Sequence, residues 1–189
     1  MTREEYINQN AAVAIQSTYG TGLFPSVKLA QGIIESGNSA GQAGESSLAK
    51  KYNAHFGIKA NSKWKGKSVN LATGEYFDGK YTTITDGFRV YNDRVESYYD
   101  HTKFLQDNPR YANALNADTP EAQAQGLQSA GYATAPQYAN HLISIINQHN
   151  LKRFDKQKKP MQRIEIFLGI VALVIILYFI TSRMNIKLF

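Results

Sequence analysis

The sequence predicts an α+β chain, mainly α, with a small β-hairpin lobe and one C-terminal transmembrane helix. Three observations predict it. Helix start and stop signals frame apolar residues at helical spacing through most of residues 1–150. The exception is residues 56–91, where two strand-like runs flank Asp78-Gly79, a strong hairpin signal. Near the end, residues 166 to 180 read IFLGIVALVIILYFI, and no charge follows until Arg183.

In chain order, a helix is expected from about Thr2 to Thr18, with Thr2 as N-cap and Glu4 and Glu5 in its first turn. The loop Tyr19-Gly20-Thr21-Gly22 leads to a second helix, opened by Pro25 and closed near Gly37. Its apolar residues Val27, Ala30, Ile33 and Ile34 predict one buried face. Gly37 to Gly44 is a small-residue loop, and a short helix follows near Glu45–Lys51. Val69–Phe77 and Lys80–Thr85 form the expected hairpin, with Phe88–Tyr91 as a further strand. Helices resume at about Asp93–Gln106, at Thr119–Ala130 with Thr119 as cap, and at Pro136–His149.

The tail differs in composition. With Thr181 and Ser182, the apolar run makes 17 uncharged residues, near the lower limit for a bilayer span. Ile164, Met184, Ile186 and Leu188 can lengthen it while Arg183 and Lys187 snorkel to the interface. The expected organisation is therefore a globular domain at 1–150, a basic linker at 151–163, a transmembrane helix at 164–183 and a short tail at 184–189. Six basic residues precede the span and two follow it, which places the globular domain on the cytoplasmic side. The opening MTREEYINQN is polar and offers no apolar export signal.

Charge and composition narrow the function classes. Residues 1–150 balance 13 Lys and Arg against 13 Asp and Glu. The net charge of +6 thus belongs to the tail, where eight basic residues face only Asp155 and Glu165. A nucleic-acid-binding domain would hold its basic patch within the fold, so that class is not expected. With no cysteine, there is no disulfide, thiolate metal site or Cys nucleophile. The four His, at 55, 101, 141 and 149, lack metal-ligand spacing, and neither a metal nor another cofactor is expected.

Glu35 is the carboxylate that stands out. It lies in the last turn of the second helix, facing the negative end of the helix dipole. That field and an apolar wall would both raise its pKa, as a general acid requires. A solvated surface Glu is the alternative on position alone.

Several short elements occur in one order. Pro25-Ser26-Val27 and Ala30-Gln31 lead to Ile34-Glu35-Ser36-Gly37; Ser46-Ser47-Leu48-Ala49 and Asn53-Ala54-His55-Phe56-Gly57-Ile58-Lys59 follow. Trp64-Lys65-Gly66, Thr73-Gly74-Glu75-Tyr76, Phe88-Arg89-Val90-Tyr91 and Gly131-Tyr132-Ala133-Thr134 complete the set. Each tetrapeptide alone is unspecific, but in register over about residues 10–150 the set resembles the endo-β-N-acetylglucosaminidases of glycoside hydrolase family 73. That group includes the flagellar muramidase-like domain and many autolysins. The resemblance does not cover the tail.

The resemblance implies a lysozyme-like helical domain with a β-hairpin lobe, acting on peptidoglycan glycan strands. It makes Glu35 the catalytic acid, Glu75 the second acidic residue and Tyr132 a supporting active-site residue. It also places Phe56, Gly57 and Ile58 in the floor of the glycan groove. Trp64, Tyr76, Tyr132 and Tyr138 are candidates for stacking on sugar faces, although most of the 12 Tyr and 9 Phe must be core or surface. The chemistry suits these residue types. One protonated carboxyl donates to the leaving oxygen, and a second group handles water or charge at the anomeric carbon. The substrate's own acetamido group is an alternative to Glu75 in that second role.

Three departures from the family pattern stand beside Glu35 and Tyr132: the longer loop Asn38–Gly44, Ala54 in place of a second Asn, and Ala135 where an Asp commonly follows. The leading expectation is a membrane-anchored peptidoglycan endo-β-N-acetylglucosaminidase, held in a bacterial inner membrane or in the lipid membrane of a phage virion; a phage lytic enzyme is one hypothesis that accounts for the lack of an export signal, and cellular or phage origin stays open. The alternatives are a muramidase or lytic transglycosylase, and a non-catalytic glycan-binding or structural membrane protein.

Overall fold

The computed structural model describes residues 1–77 and 80–156, with residues 74–77 and 80–82 described as backbone. These residues form seven α-helices and a two-stranded sheet in the order α1 (Arg3–Thr18), α2 (Pro25–Glu35), α3 (Ser47–Tyr52), β1 (Ser68–Phe77), β2 (Lys80–Arg89), α4 (Arg94–Gln106), α5 (Ala112–Leu115), α6 (Pro120–Ser129) and α7 (Tyr138–Gln148). A 3₁₀ turn at Pro109–Tyr111 leads into α5, and another at Leu151–Phe154 follows α7.

The N-terminus of α1 forms as its sequence predicts. Thr2 Oγ1 accepts from the Glu5 amide at 3.2 Å while the Glu5 carboxylate accepts from the Thr2 amide at 2.7 Å. This reciprocal capping satisfies two backbone donors that a helix start leaves without partners. Asp93 and Thr119 cap α4 and α6 one way only, their side chains accepting from the amides of Glu96 and Ala122.

α2 is the central element. It packs against α1, α6, α7 and the Leu151–Phe154 turn. Every residue from Pro25 to Ile33 is buried, so the single buried face predicted from periodicity is too narrow. Nearly the whole circumference is enclosed, which requires the polar residues Ser26, Lys28 and Gln31 to find partners inside the protein. Each does. The Ser26 amide and hydroxyl both donate to the Asp155 carboxylate, at 2.8 and 2.6 Å. Gln31 and Lys28 bond groups at the candidate site.

The loop Asn38–Gly44 folds back on itself, with the Asn38 side chain accepting from the amides of Ala40 and Gln42. Ser36, which caps α2, accepts from the Gly44 amide at 2.8 Å through its hydroxyl. The extra loop length is thereby absorbed beside the helix end.

β1 and β2 pair antiparallel along their full length, from Ser68 opposite Arg89 to Phe77 opposite Lys80. The separate strand expected at Phe88–Tyr91 is instead the end of β2, because the ladder runs unbroken through Asp86 and Gly87. Lys59 bridges to Phe88, attaching the preceding segment to the base of the hairpin. The Arg89 guanidinium binds both oxygens of Asp100 on α4, at 3.0 and 2.8 Å, and the Tyr91 hydroxyl donates to the same carboxylate at 2.7 Å.

The expected boundary at residue 150 falls inside a packed element. Leu151 is fully buried, and the compact unit extends from Met1 to Lys156. Hence the first residues of the predicted linker are part of the fold. The remainder of the linker, the transmembrane helix at 164–183 and the tail at 184–189 lie outside the described residues. Among the described residues, no helix is long and apolar enough to cross a membrane.

Candidate active site

Glu35 is the last helical residue of α2, as the Pro25 and Gly37 signals predict. Its Oε1 accepts a hydrogen bond from the Tyr138 hydroxyl at 3.0 Å. That hydroxyl in turn accepts from Gln31 Nε2 at 3.1 Å. Gln31 precedes Glu35 by four residues, so one face of α2 delivers both the carboxylate and the group that orients its partner. Burial raises the Glu35 pKa to about 7, against the opposing effect of the Tyr138 hydrogen bond. Desolvation penalises the ionised form more than one neutral hydroxyl restores it. The result is a carboxyl that holds its proton near neutrality, at a partly accessible position.

Tyr138, at the start of α7, is buried and engaged through its hydroxyl. It therefore orients Glu35 and does not offer a ring face to a sugar, in contrast to the stacking role expected from sequence. Tyr132 is partly exposed and stacks on Tyr138, with ring centroids 5.5 Å apart. Its hydroxyl lies 2.9 Å from His101 Nε2. The structure thus brings Glu35, Tyr132 and Tyr138 together.

The Phe56-Gly57-Ile58 stretch sits one layer deeper than expected. Phe56 and Ile58 are buried. The Phe56 ring lies flat on His101 at 4.0 Å and edge-on to Tyr98 at 4.9 Å. Phe56 thus supports the site from behind, packed against Tyr98 and His101 of α4. Gly57, between Phe56 and Ile58, adopts a φ of +56°, a left-handed conformation that glycine accepts most readily.

Trp64 belongs to a different cluster. Its ring packs edge-on to Tyr91, the Arg89 guanidinium lies 4.6 Å from its centroid, and its Nε1 donates to the Lys67 carbonyl. The ring braces the hairpin base and is partly exposed. Glu75 and Tyr76 lie in β1, opposite Thr82 and Tyr81 in the register, close to the hairpin tip. Their side chains are outside the described part of the structure.

Sequence reading missed Gln31, Lys28 and His101. Lys28 is almost fully buried on α2, with its ammonium nitrogen 2.7 Å from His101 Nδ1 and 3.2 Å from the Tyr98 carbonyl oxygen. Burial lowers the pKa of both Lys28 and His101 well below their ordinary values. A Lys placed between Val27 and Leu29 in an otherwise apolar run was the available signal. Tyr6 joins the same interior, its hydroxyl bonded to His55 Nδ1 and to the Tyr98 hydroxyl. Among the described residues, no group of three His, Asp or Glu side chains is placed to hold a metal ion.

Residues 10–151 match the Glucosaminidase family, described as mannosyl-glycoprotein endo-beta-N-acetylglucosaminidase. The chain belongs to that family. Its glucosaminidase domain is 42% identical over 120 residues to the peptidoglycan hydrolase FlgJ of Salmonella typhimurium, covering 64% of this chain. It is 39% identical over 158 residues to a probable N-acetylmuramidase of Lactococcus lactis subsp. cremoris, covering 80% of this chain. The chain spans only 38% and 35% of the lengths of those two relatives. Among solved structures, the catalytic domain of the autolysin Auto from Listeria monocytogenes superposes with a TM-score of 0.71 at 33% identity, over 81% of this chain and 87% of that one. The glucosaminidase domain thus has a mainly helical, lysozyme-like α+β fold with a small two-stranded sheet, and it is a glycosidase domain.

Proposed function

We propose that this domain is a peptidoglycan hydrolase, an endo-β-N-acetylglucosaminidase in which Glu35 is the general acid. The observation that supports the reading most strongly is the Glu35 carboxyl, positioned by Tyr138 at the end of a buried helix with its pKa raised to about 7. A carboxyl with that pKa still holds its proton in a useful fraction of molecules at neutral pH, and protonates the leaving oxygen as the glycosidic bond breaks. The FlgJ relatives, named as peptidoglycan hydrolases, support the substrate class.

In this reading Glu75 supplies the second carboxylate. It lies in β1 near the hairpin tip, and its part in this reading is to handle water or charge at the anomeric carbon. Tyr132, stacked beside the Glu35–Tyr138 pair, contributes a hydroxyl to the bound sugar. Replacing Glu35 by Gln keeps the shape and the Tyr138 contact but removes the proton to be donated. Glu35→Gln should abolish clearing in a wall-gel assay, and undiminished clearing would refute the assignment.

The name of the Lactococcus relatives favours a second reading, in which the bond cut is the one on the reducing side of N-acetylmuramic acid. The helix-end acid serves either bond, so the two readings differ in product and not in Glu35.

The uncharged run Ile166–Ile180 supports a further part of the proposal, that residues 164–183 hold the domain to a bilayer. The six basic residues before this run favour a domain on the cytoplasmic face, whether in a bacterial inner membrane or inside the lipid membrane of a virion. A hydrolase so placed meets the wall only when the membrane is breached, as in phage lysis. Protease protection of the domain in intact membrane vesicles tests this orientation.

A further inference from the structure

Behind Tyr132 lie two polar side chains in series that the acid mechanism does not use. Lys28 Nζ is 2.7 Å from His101 Nδ1, and His101 Nε2 is 2.9 Å from the Tyr132 hydroxyl. Lys28 and His101 are each almost completely enclosed, at 1% and 0% exposure, so solvent does not compete for their protons. Such a linear chain has a direction, and the direction determines whether the Tyr132 hydroxyl gives or receives a hydrogen bond at the cleft.

The partners of Lys28 set that direction. Its nitrogen donates to the Tyr98 carbonyl at 3.2 Å, lies 5.1 Å from the centre of the Phe56 ring, and feels the nearby Asp100 carboxylate, all of which favour an amine that donates. Burial and the adjacent Lys28 keep His101 neutral, so only one of its ring nitrogens bears a proton. With Lys28 donating to Nδ1, that proton sits on Nε2 and donates to the Tyr132 oxygen. Tyr132 then keeps its own proton free. Among the described residues the hydroxyl has no other partner, and its ring is stacked on the tyrosine that holds Glu35.

We propose that Lys28 is a positioning residue that fixes the tautomer of His101 and thereby turns the Tyr132 hydroxyl proton outward, toward an acceptor on the bound glycan beside Glu35. This rests on the glycosidase reading for its consequence in catalysis, but the tautomer itself does not. Phe56 completes the device by stacking flat on His101 at 4.0 Å, which holds the imidazole plane in line with both partners.

Two measurements on the full chain in detergent test it. The first is the ¹⁵N spectrum of the His101 ring, identified by its loss in His101→Gln. The Nε2–H tautomer is expected in the unaltered protein, and an Nδ1–H tautomer would overturn the proposal even if every Lys28 variant failed to fold. The second is a double-mutant cycle on wall hydrolysis. Lys28→Met, which keeps the length of the side chain and removes its donors, should lower kcat by about tenfold with KM nearly unchanged, as should Tyr132→Phe. The double variant should be no slower than either single one, because both remove the same donated hydrogen bond. Losses that multiply, or a Tyr132→Phe enzyme with full kcat, contradict the proposal. Activity retained by Glu35→Gln would instead remove the assignment of Glu35 as the acid while leaving the tautomer result standing.

Discussion

A carboxylate in the last turn of a helix meets the negative end of the helix dipole, and at Glu35 burial adds to that disadvantage. The Tyr138 hydroxyl opposes both effects by donating to Oε1, which stabilises the ionised form. Activity that needs the protonated acid should therefore fall as pH rises through about 7, the value to which burial lifts this group. Tyr138→Phe removes this hydrogen bond, which favours ionisation. The alkaline limb of the pH–rate profile for kcat should move upward, while the rate below it drops because Glu35 loses its orientation. A downward shift of that limb would contradict the assigned role of Tyr138. Glu35 itself was legible from its place between Pro25 and Gly37 and from the Glu-Ser-Gly element. The part of Tyr138 was not, since a ring 103 positions away gives no sequence sign that its hydroxyl meets Glu35.

At the scale of elements, α2 is the part on which the site depends. It supplies Lys28, Gln31 and Glu35 on successive turns, and its burial fixes where they stand. Gly32 faces Tyr6 of α1 and Tyr98 of α4. A Cβ there would meet the Tyr6 hydroxyl at 2.7 Å and the Tyr98 hydroxyl at 2.9 Å. Those two hydroxyls bond each other at 3.0 Å inside the core, so neither can swing away without breaking a buried hydrogen bond. Gly32→Ala should lower stability by about 1–3 kcal/mol, overpacking outweighing the helix propensity that Ala gains. A thermal melt checks the sign; a rise in melting temperature would show that the two tyrosines yield. Helix and strand positions followed from caps and turns, such as Thr2, Asp93, Thr119 and Asp78-Gly79. The enclosure of α2 on all sides did not, because periodicity registers apolar residues and cannot reveal that Lys28 and Gln31 have buried partners. The short helix Ala112–Leu115 and the turn Leu151–Phe154 were missed for a related reason. Each is a few residues long and depends on tertiary packing more than on local signals.

For the whole molecule, the domain ends later than composition suggests. Leu151 fills the core, and Asp155 accepts from the backbone and side chain of Ser26 at the start of the helix that ends in Glu35. A chain cut after Asn150 loses both, and it should melt well below one cut after Lys156, with the buried Leu alone worth roughly 1.5–3 kcal/mol. Equal melting temperatures would show that the Leu151–Phe154 turn is dispensable. The basic stretch was read as linker because its charges mask one buried leucine and one capping aspartate. The family and the mainly helical fold were thus legible in short ordered motifs, as was the helix-end place of Glu35, whereas the surroundings of Trp64, Phe56 and Tyr138 required the packing. The central claim, that this domain is a glycosidase cutting peptidoglycan at N-acetylglucosamine with Glu35 as its acid, meets its most direct test in the reducing ends of the fragments it releases. Mass analysis of muropeptides from purified walls should show N-acetylglucosamine at the new reducing ends, and none with Glu35→Gln. New reducing ends of N-acetylmuramic acid, or anhydromuramic products, would contradict it.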